Sequence, residues 1–121
     1  MANRILLIED TEDLGEMIVD LLMMENYQVT WAKNGEEGLQ CYAQQQPDLV
    51  ITDVIMPGID GLELVKEIRI NKNLKNPVPI IIMSAKASPE DVEAGYYAGA
   101  NVYLTKPCSS TILINSIKTL L

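Results

Sequence analysis

Five short apolar runs alternate strictly with five amphipathic stretches along the 121 residues, and this alternation leaves few folds open. Arg4-Ile5-Leu6-Leu7-Ile8 reads as a strand. Leu14, Ile18, Leu21 and Leu22 then recur at helical spacing, with Asn26 expected to end the first helix. Gln28 to Trp31 alternate as a second strand. Asn34 suits a helix N-cap, and Glu36 and Glu37 would sit in the first turn, where the helix dipole favours carboxylates. Leu49-Val50-Ile51 is a third strand running into Thr52-Asp53, and Met56-Pro57-Gly58 is a loop. Leu64, Val65 and Ile68 mark the buried stripe of a third helix, and Asn71 to Pro77 a polar connection. The apolar run from Val78 to Met83 predicts a strand covered on both faces. Ser88-Pro89-Glu90 reads as an N-cap followed by proline at the first helical position, and Gly99 as that helix's stop. Val102-Tyr103-Leu104 is the fifth strand; Leu113, Ile117, Leu120 and Leu121 face the last helix inward.

Strand and helix in strict turn imply an α/β fold, a parallel sheet with helices on both sides. Ligands of such sheets bind outside the carboxyl ends of the strands. With no repeat, low-complexity tract or linker, residues 1–121 are expected to form one domain.

Composition narrows the partners. The formal charge of −8 argues against direct nucleic-acid binding, which needs a basic surface. A cation or a basic protein patch suits it better. No apolar run approaches the ~20 residues of a membrane span, and Met1 to Arg4 lack a signal-peptide layout. Cys41 and Cys108 fit no metal or redox spacing; as unpaired thiols they suit a reducing cytoplasm. The chain has no histidine, so any phosphohistidine in its chemistry must come from a partner.

The residues at the carboxyl ends of the strands carry chemistry. The first strand delivers Glu9 and Asp10, the third Asp53, the fourth Ser84 and the fifth Lys106. At an effective dielectric near 20, two carboxylates about 4 Å apart repel by roughly 4 kcal/mol. Lys106 offsets part of this, and a hard divalent cation such as Mg²⁺, which prefers oxygen ligands, offsets more. Such a site suits phosphoryl transfer, where catalysis is mostly positioning and charge neutralisation. A carboxylate can itself be the nucleophile and become an aspartyl phosphate. Asp53, ending the central strand before a turn whose N–H groups could face phosphate oxygens, is the best acceptor; Glu9 and Asp10 suit the metal.

Glu9-Asp10, the segment Asp53-Val54-Ile55-Met56-Pro57-Gly58, Ser84-Ala85 and Lys106-Pro107 together resemble the response-regulator receiver family of two-component signalling. The match spans essentially the whole chain, and the motifs are specific as a set though weak singly. The resemblance implies a flavodoxin-like three-layer sandwich, with a five-stranded parallel sheet of order 2-1-3-4-5 and five helices. It implies a phosphorylation-activated signalling switch rather than an enzyme, whose phosphoryl donor is a sensor histidine kinase or phosphotransfer protein. Asp53 would be the phospho-acceptor. Asp10, Asp53 and the Ile55 carbonyl would bind Mg²⁺, with Glu9 acting mainly through a water. Lys106 and Ser84 would contact the phosphoryl oxygens, Tyr103 would change rotamer with Ser84, and the Lys106-Pro107 peptide would be cis.

Two positions depart from the common pattern. Glu stands at position 9 where Asp is more frequent. Ile55 and Lys86 occupy places that tune aspartyl-phosphate hydrolysis in the family, and an apolar Ile55 cannot orient water, so a long-lived phosphoryl group is expected.

The family's output surface is helix 4, strand 5 and helix 5. Here Val92, Asn101, Val102, Ile112 and Ser116 replace the charged pairs through which its transcription factors dimerise, so Val92, Val102 and Ile112 are expected to form an apolar contact patch for an output partner the sequence does not name. Asp60 and Glu63 are read as loop and helix-start charges. Met17, Met23, Met24, Met56 and Met83 are read as packing, and of Tyr96 and Tyr97 one is expected to pack and one to be exposed. Other readings weigh less. A receiver cut from a longer regulator or hybrid kinase would look the same. A non-phosphorylated adaptor would not need Asp10, Asp53, Ser84 and Lys106. An aspartyl phosphatase would need a second Asp where Ile55 stands, and no Gly-rich phosphate loop supports nucleotide binding.

Overall fold

A computed structural model of the chain describes residues 3–70 and 77–121. The connection expected from Asn71 lies, through position 76, outside the described residues. The elements alternate as β1 (Arg4–Ile8), α1 (Glu12–Met24), β2 (Gln28–Ala32), α2 (Gly35–Gln45), β3 (Leu49–Thr52), α3 (Gly61–Ile70), β4 (Ile80–Ser84), α4 (Pro89–Ala98), β5 (Val102–Thr105) and α5 (Ser110–Leu120). The five strands pair in parallel in the order β2-β1-β3-β4-β5. The expected three-layer fold is therefore present.

Side-chain alternation divides the core between the two faces of the sheet. Leu6, Ile8, Val50, Ile80 and Ile82 point to one face and pack with Tyr42 of α2, Leu64, Val65 and Ile68 of α3 and Ala98 of α4. Ile5, Leu7, Leu49, Ile51, Ile81 and Met83 point to the other, against Ile18 and Leu22 of α1 and Leu113, Ile114 and Ile117 of α5. The central strands β3 and β4 are buried along their whole length, as their lack of polar alternation requires. Burying each isoleucine of β4 is worth roughly 2 kcal/mol.

Local signals set the helix ends. Asn34 accepts from the Glu37 N–H at 2.8 Å, Asp60 from the Glu63 N–H at 2.9 Å and Ser88 from the Asp91 N–H at 3.1 Å. Ser109 does the same for Ile112, a cap the sequence reading passed over. Gly99, at φ 126°, ends α4.

Asn26, at φ 69°, closes α1 as expected, just past its last helical residue Met24. Two strand boundaries shift from expectation. Strand β2 extends to Ala32, whose carbonyl takes the Glu9 N–H. Strand β4 begins at Ile80 rather than Val78, because Pro79 has no N–H to give the ladder; its carbonyl still accepts from Val50. Met56 and Met83 are buried as expected, but Met17, Met23 and Met24 are exposed, since α1 carries more apolar residues than its buried stripe uses. Tyr96 and Tyr97 are both exposed. Cys41 and Cys108 are free thiols.

Candidate functional site

The register of the sheet brings the strand ends level. Ile8 pairs with Thr52, Thr52 with Ile82, and Ser84 with Thr105, so the residues that follow collect at one edge. Glu9, Asp10 and Asp53 each place a carboxylate oxygen within 4.8 Å of the others. Glu9 and Asp53 are buried, and Asp10 is exposed.

Lys106 enters from the end of β5. Its N–H donates to the Ser84 carbonyl, which holds the chain there against β4. The following Lys106-Pro107 peptide is cis, as the resemblance implied. The ammonium lies 2.7 Å from Asp53 Oδ2 and 2.9 Å from Glu9 Oε1. Burial alone would depress the lysine, but the hydrogen bonds and charges of Asp53 and Glu9 outweigh it and raise its pKa above the ordinary value. Lys106 is therefore a fixed positive charge at physiological pH.

The acceptor carboxylate is held from its other side by its own loop. Asp53 Oδ1 accepts from the Val54 N–H at 2.6 Å and the Ile55 N–H at 3.2 Å. The Ile55 side chain points out, 54% exposed. The loop is pinned where Gly61, donating to the Val54 carbonyl at 2.9 Å, passes against the Asp53 carbonyl. A Cβ at Gly61 would overlap that oxygen, so only glycine fits. Gly58, at φ 78°, makes the turn before it.

Ser84 is fully buried and its Oγ accepts from the Lys86 N–H at 3.2 Å. The Tyr103 ring is also buried, with its hydroxyl donating to the Lys86 carbonyl at 2.7 Å. Ser84 and Tyr103 thus meet on one residue of the β4–α4 loop. Tyr103's own N–H donates to the Tyr96 hydroxyl at 3.1 Å, fastening α4 to the sheet edge, a contact with no sequence signal. Of the three residues expected to form an apolar output patch, only Ile112 is well exposed. Val92 and Val102 are each half-buried, Val92 against one face's core and Val102 against the other's.

The profile of the response regulator receiver domain family matches residues 5–118. The chain belongs to this receiver family. A curated relative, the uncharacterized transcriptional regulatory protein YrkP of Bacillus subtilis, is 42% identical over 109 residues, covering 90% of this receiver and 45% of YrkP. The transcriptional regulatory protein BaeR of Escherichia coli is 36% identical, covering 98% of this chain and 48% of its own. This receiver spans about half the length of the curated relatives it matches. The chemotaxis response regulator CheY4 of Vibrio cholerae superposes with a TM-score of 0.92 at 29% identity over the whole of both chains. Among the described residues, no helix of this receiver is long and apolar enough to cross a membrane.

Proposed function

We propose that this receiver takes a phosphoryl group from a phosphohistidine partner onto Asp53 and reports the event through α4, β5 and α5. The observation that carries the reading is the placement of the buried Asp53 carboxylate between the Lys106 ammonium and two further carboxylates. An Asp53 oxygen attacks phosphorus, the phosphorus–nitrogen bond of the donor breaks, and the imidazole leaves with its electron pair.

Three clustered carboxylates and no soft donor are an oxygen set suited to Mg²⁺. Asp10, Asp53 and the Ile55 carbonyl would hold the ion, with Glu9 behind them. When bound, it neutralises charge on the phosphoryl group. Lys106 supplies the other positive charge and is already in contact with the acceptor. The Val54 and Ile55 N–H groups orient the carboxylate before transfer. With Ile55 apolar and turned outward, no side chain at that position orients water, which supports a long-lived aspartyl phosphate.

Ser84 and Tyr103 are the relay. A phosphoryl group on Asp53 offers Ser84 a new acceptor, and any movement of Ser84 disturbs Lys86, to which Tyr103 is bonded. The output is then a shift in a two-state equilibrium of the β4–α4 loop and α4. Because this chain matches about half of each curated relative, the same chemistry would serve equally as the receiving part of a longer regulator.

Beryllofluoride with Mg²⁺ tests this by backbone NMR. Amide shifts at 53–55, 84–86 and 103–106 that vanish in Asp53→Asn are expected. Shifts confined to the acidic cluster, with 84–104 unmoved, would defeat the relay.

A further inference from the structure

Glu9 and Asp10 are joined by one peptide group, and its carbonyl oxygen is not free. The Trp31 indole N–H, from β2, donates to it at 2.9 Å. The peptide on the other side of Glu9 is also held by β2, through the Glu9 N–H and the Ala32 carbonyl at 3.0 Å. The Glu9 side chain is fixed in turn, with Oε1 on Lys106 and Oε2 accepting from the Thr11 N–H at 3.1 Å. Rotating the Glu9–Asp10 peptide would change ψ of one acidic residue and φ of the next, and so re-aim both carboxylates. The indole opposes that rotation.

The indole is itself held in place. Gly15 of α1 lies against it so closely that a Cβ there would fall on the ring. Lys33 sits 5.1 Å from the ring centroid, its ammonium tied to Glu12 at 2.8 Å. The partner this indole N–H takes is the carbonyl of the peptide between two candidate metal ligands.

We propose that Trp31 is a positioning residue for the acidic cluster: its indole N–H sets the Glu9–Asp10 peptide and thereby the cluster's affinity for a divalent cation. The inference rests on reading that cluster as a Mg²⁺ site. Partners one step removed from a metal typically change affinity about ten-fold or more when lost.

Trp31 is the chain's single tryptophan, so replacing tryptophan with benzothienylalanine exchanges this one N–H for sulfur without changing the ring's shape. Mg²⁺ titration by calorimetry, with urea unfolding alongside, compares the native protein, the benzothienylalanine protein, Trp31→Phe and Gly15→Ala. The expected result is a rise of about ten-fold in the Mg²⁺ dissociation constant for the sulfur-substituted protein, with the unfolding curve showing it fully folded under the titration conditions. Folded Trp31→Phe and Gly15→Ala should shift the same way. An unchanged dissociation constant in the sulfur-substituted protein, beside normal binding by the native one, overturns the role of Trp31. Absence of Mg²⁺ binding by the native protein overturns the metal reading itself.

Discussion

Lys106 and Asp53, 53 residues apart in the chain, meet at 2.7 Å across the carboxyl edge of the sheet. The contact joins the ends of β3 and β5, which are separated in the sheet by β4. It makes one ammonium the counter-charge of the acidic cluster.

Removing that charge should expose the repulsion it offsets. Lys106→Met is predicted to lower stability at neutral pH by about 2 kcal/mol, below the roughly 3–5 of a fully buried pair because Lys106 still reaches solvent. Mg²⁺ should restore part of the loss. Urea unfolding with and without Mg²⁺ reads both effects; a Lys106→Met loss indifferent to Mg²⁺ would contradict the electrostatic account.

Gly61→Ala puts a methyl group into the Asp53 carbonyl and beside the Val54 Cα, both backbone atoms that cannot swing aside. A destabilisation of about 3 kcal/mol is predicted. Whatever protein remains folded should accept phosphate slowly, because the acceptor's own backbone must move. Alanine tolerated there without effect would mean that the loop holding Asp53 is not fixed by this contact.

Stability should fall at alkaline pH. Burial raises the Tyr42 and Tyr103 hydroxyls, and Asp53 and Glu9 hold Lys106 above its ordinary value against its burial. A raised folded-state pKa means that the unfolded chain loses its proton first. The contribution is therefore complete below the unfolded values, about 10 for tyrosine and 10.4 for lysine, and is lost as pH climbs through the folded ones. Denaturation between pH 8 and 11 should show the decline, and Tyr103→Phe and Tyr42→Phe should each flatten it. The Tyr42 hydroxyl is buried with no hydrogen-bond partner among the described residues, so Tyr42→Phe should not destabilise at neutral pH.

The fold and the cluster were legible because each depends on chain order. Alternating runs give a parallel sheet, and a parallel sheet collects whatever follows its strands. Glu9, Asp10, Asp53, Ser84 and Lys106 could be assembled from that rule alone. Contacts across the sheet's faces were not legible. The bond from Trp31 to the Glu9 carbonyl depends on β2 pairing Trp31 with Leu7 and on the gap at Gly15. Tyr96 reaches the Tyr103 N–H because β5 is an edge strand with a donor to spare. The degree of burial along α4 and β5 was not legible either: Val92 and Val102 are apolar in the sequence, and each is drawn part-way into the core on its own side of the sheet.

Intact mass after incubation with acetyl phosphate and Mg²⁺, beside an Asp53→Asn control, tests the central claim most directly. One added phosphoryl mass that requires Mg²⁺ and is absent from the control is predicted. An adduct that persists in Asp53→Asn, or forms equally without Mg²⁺, would contradict it.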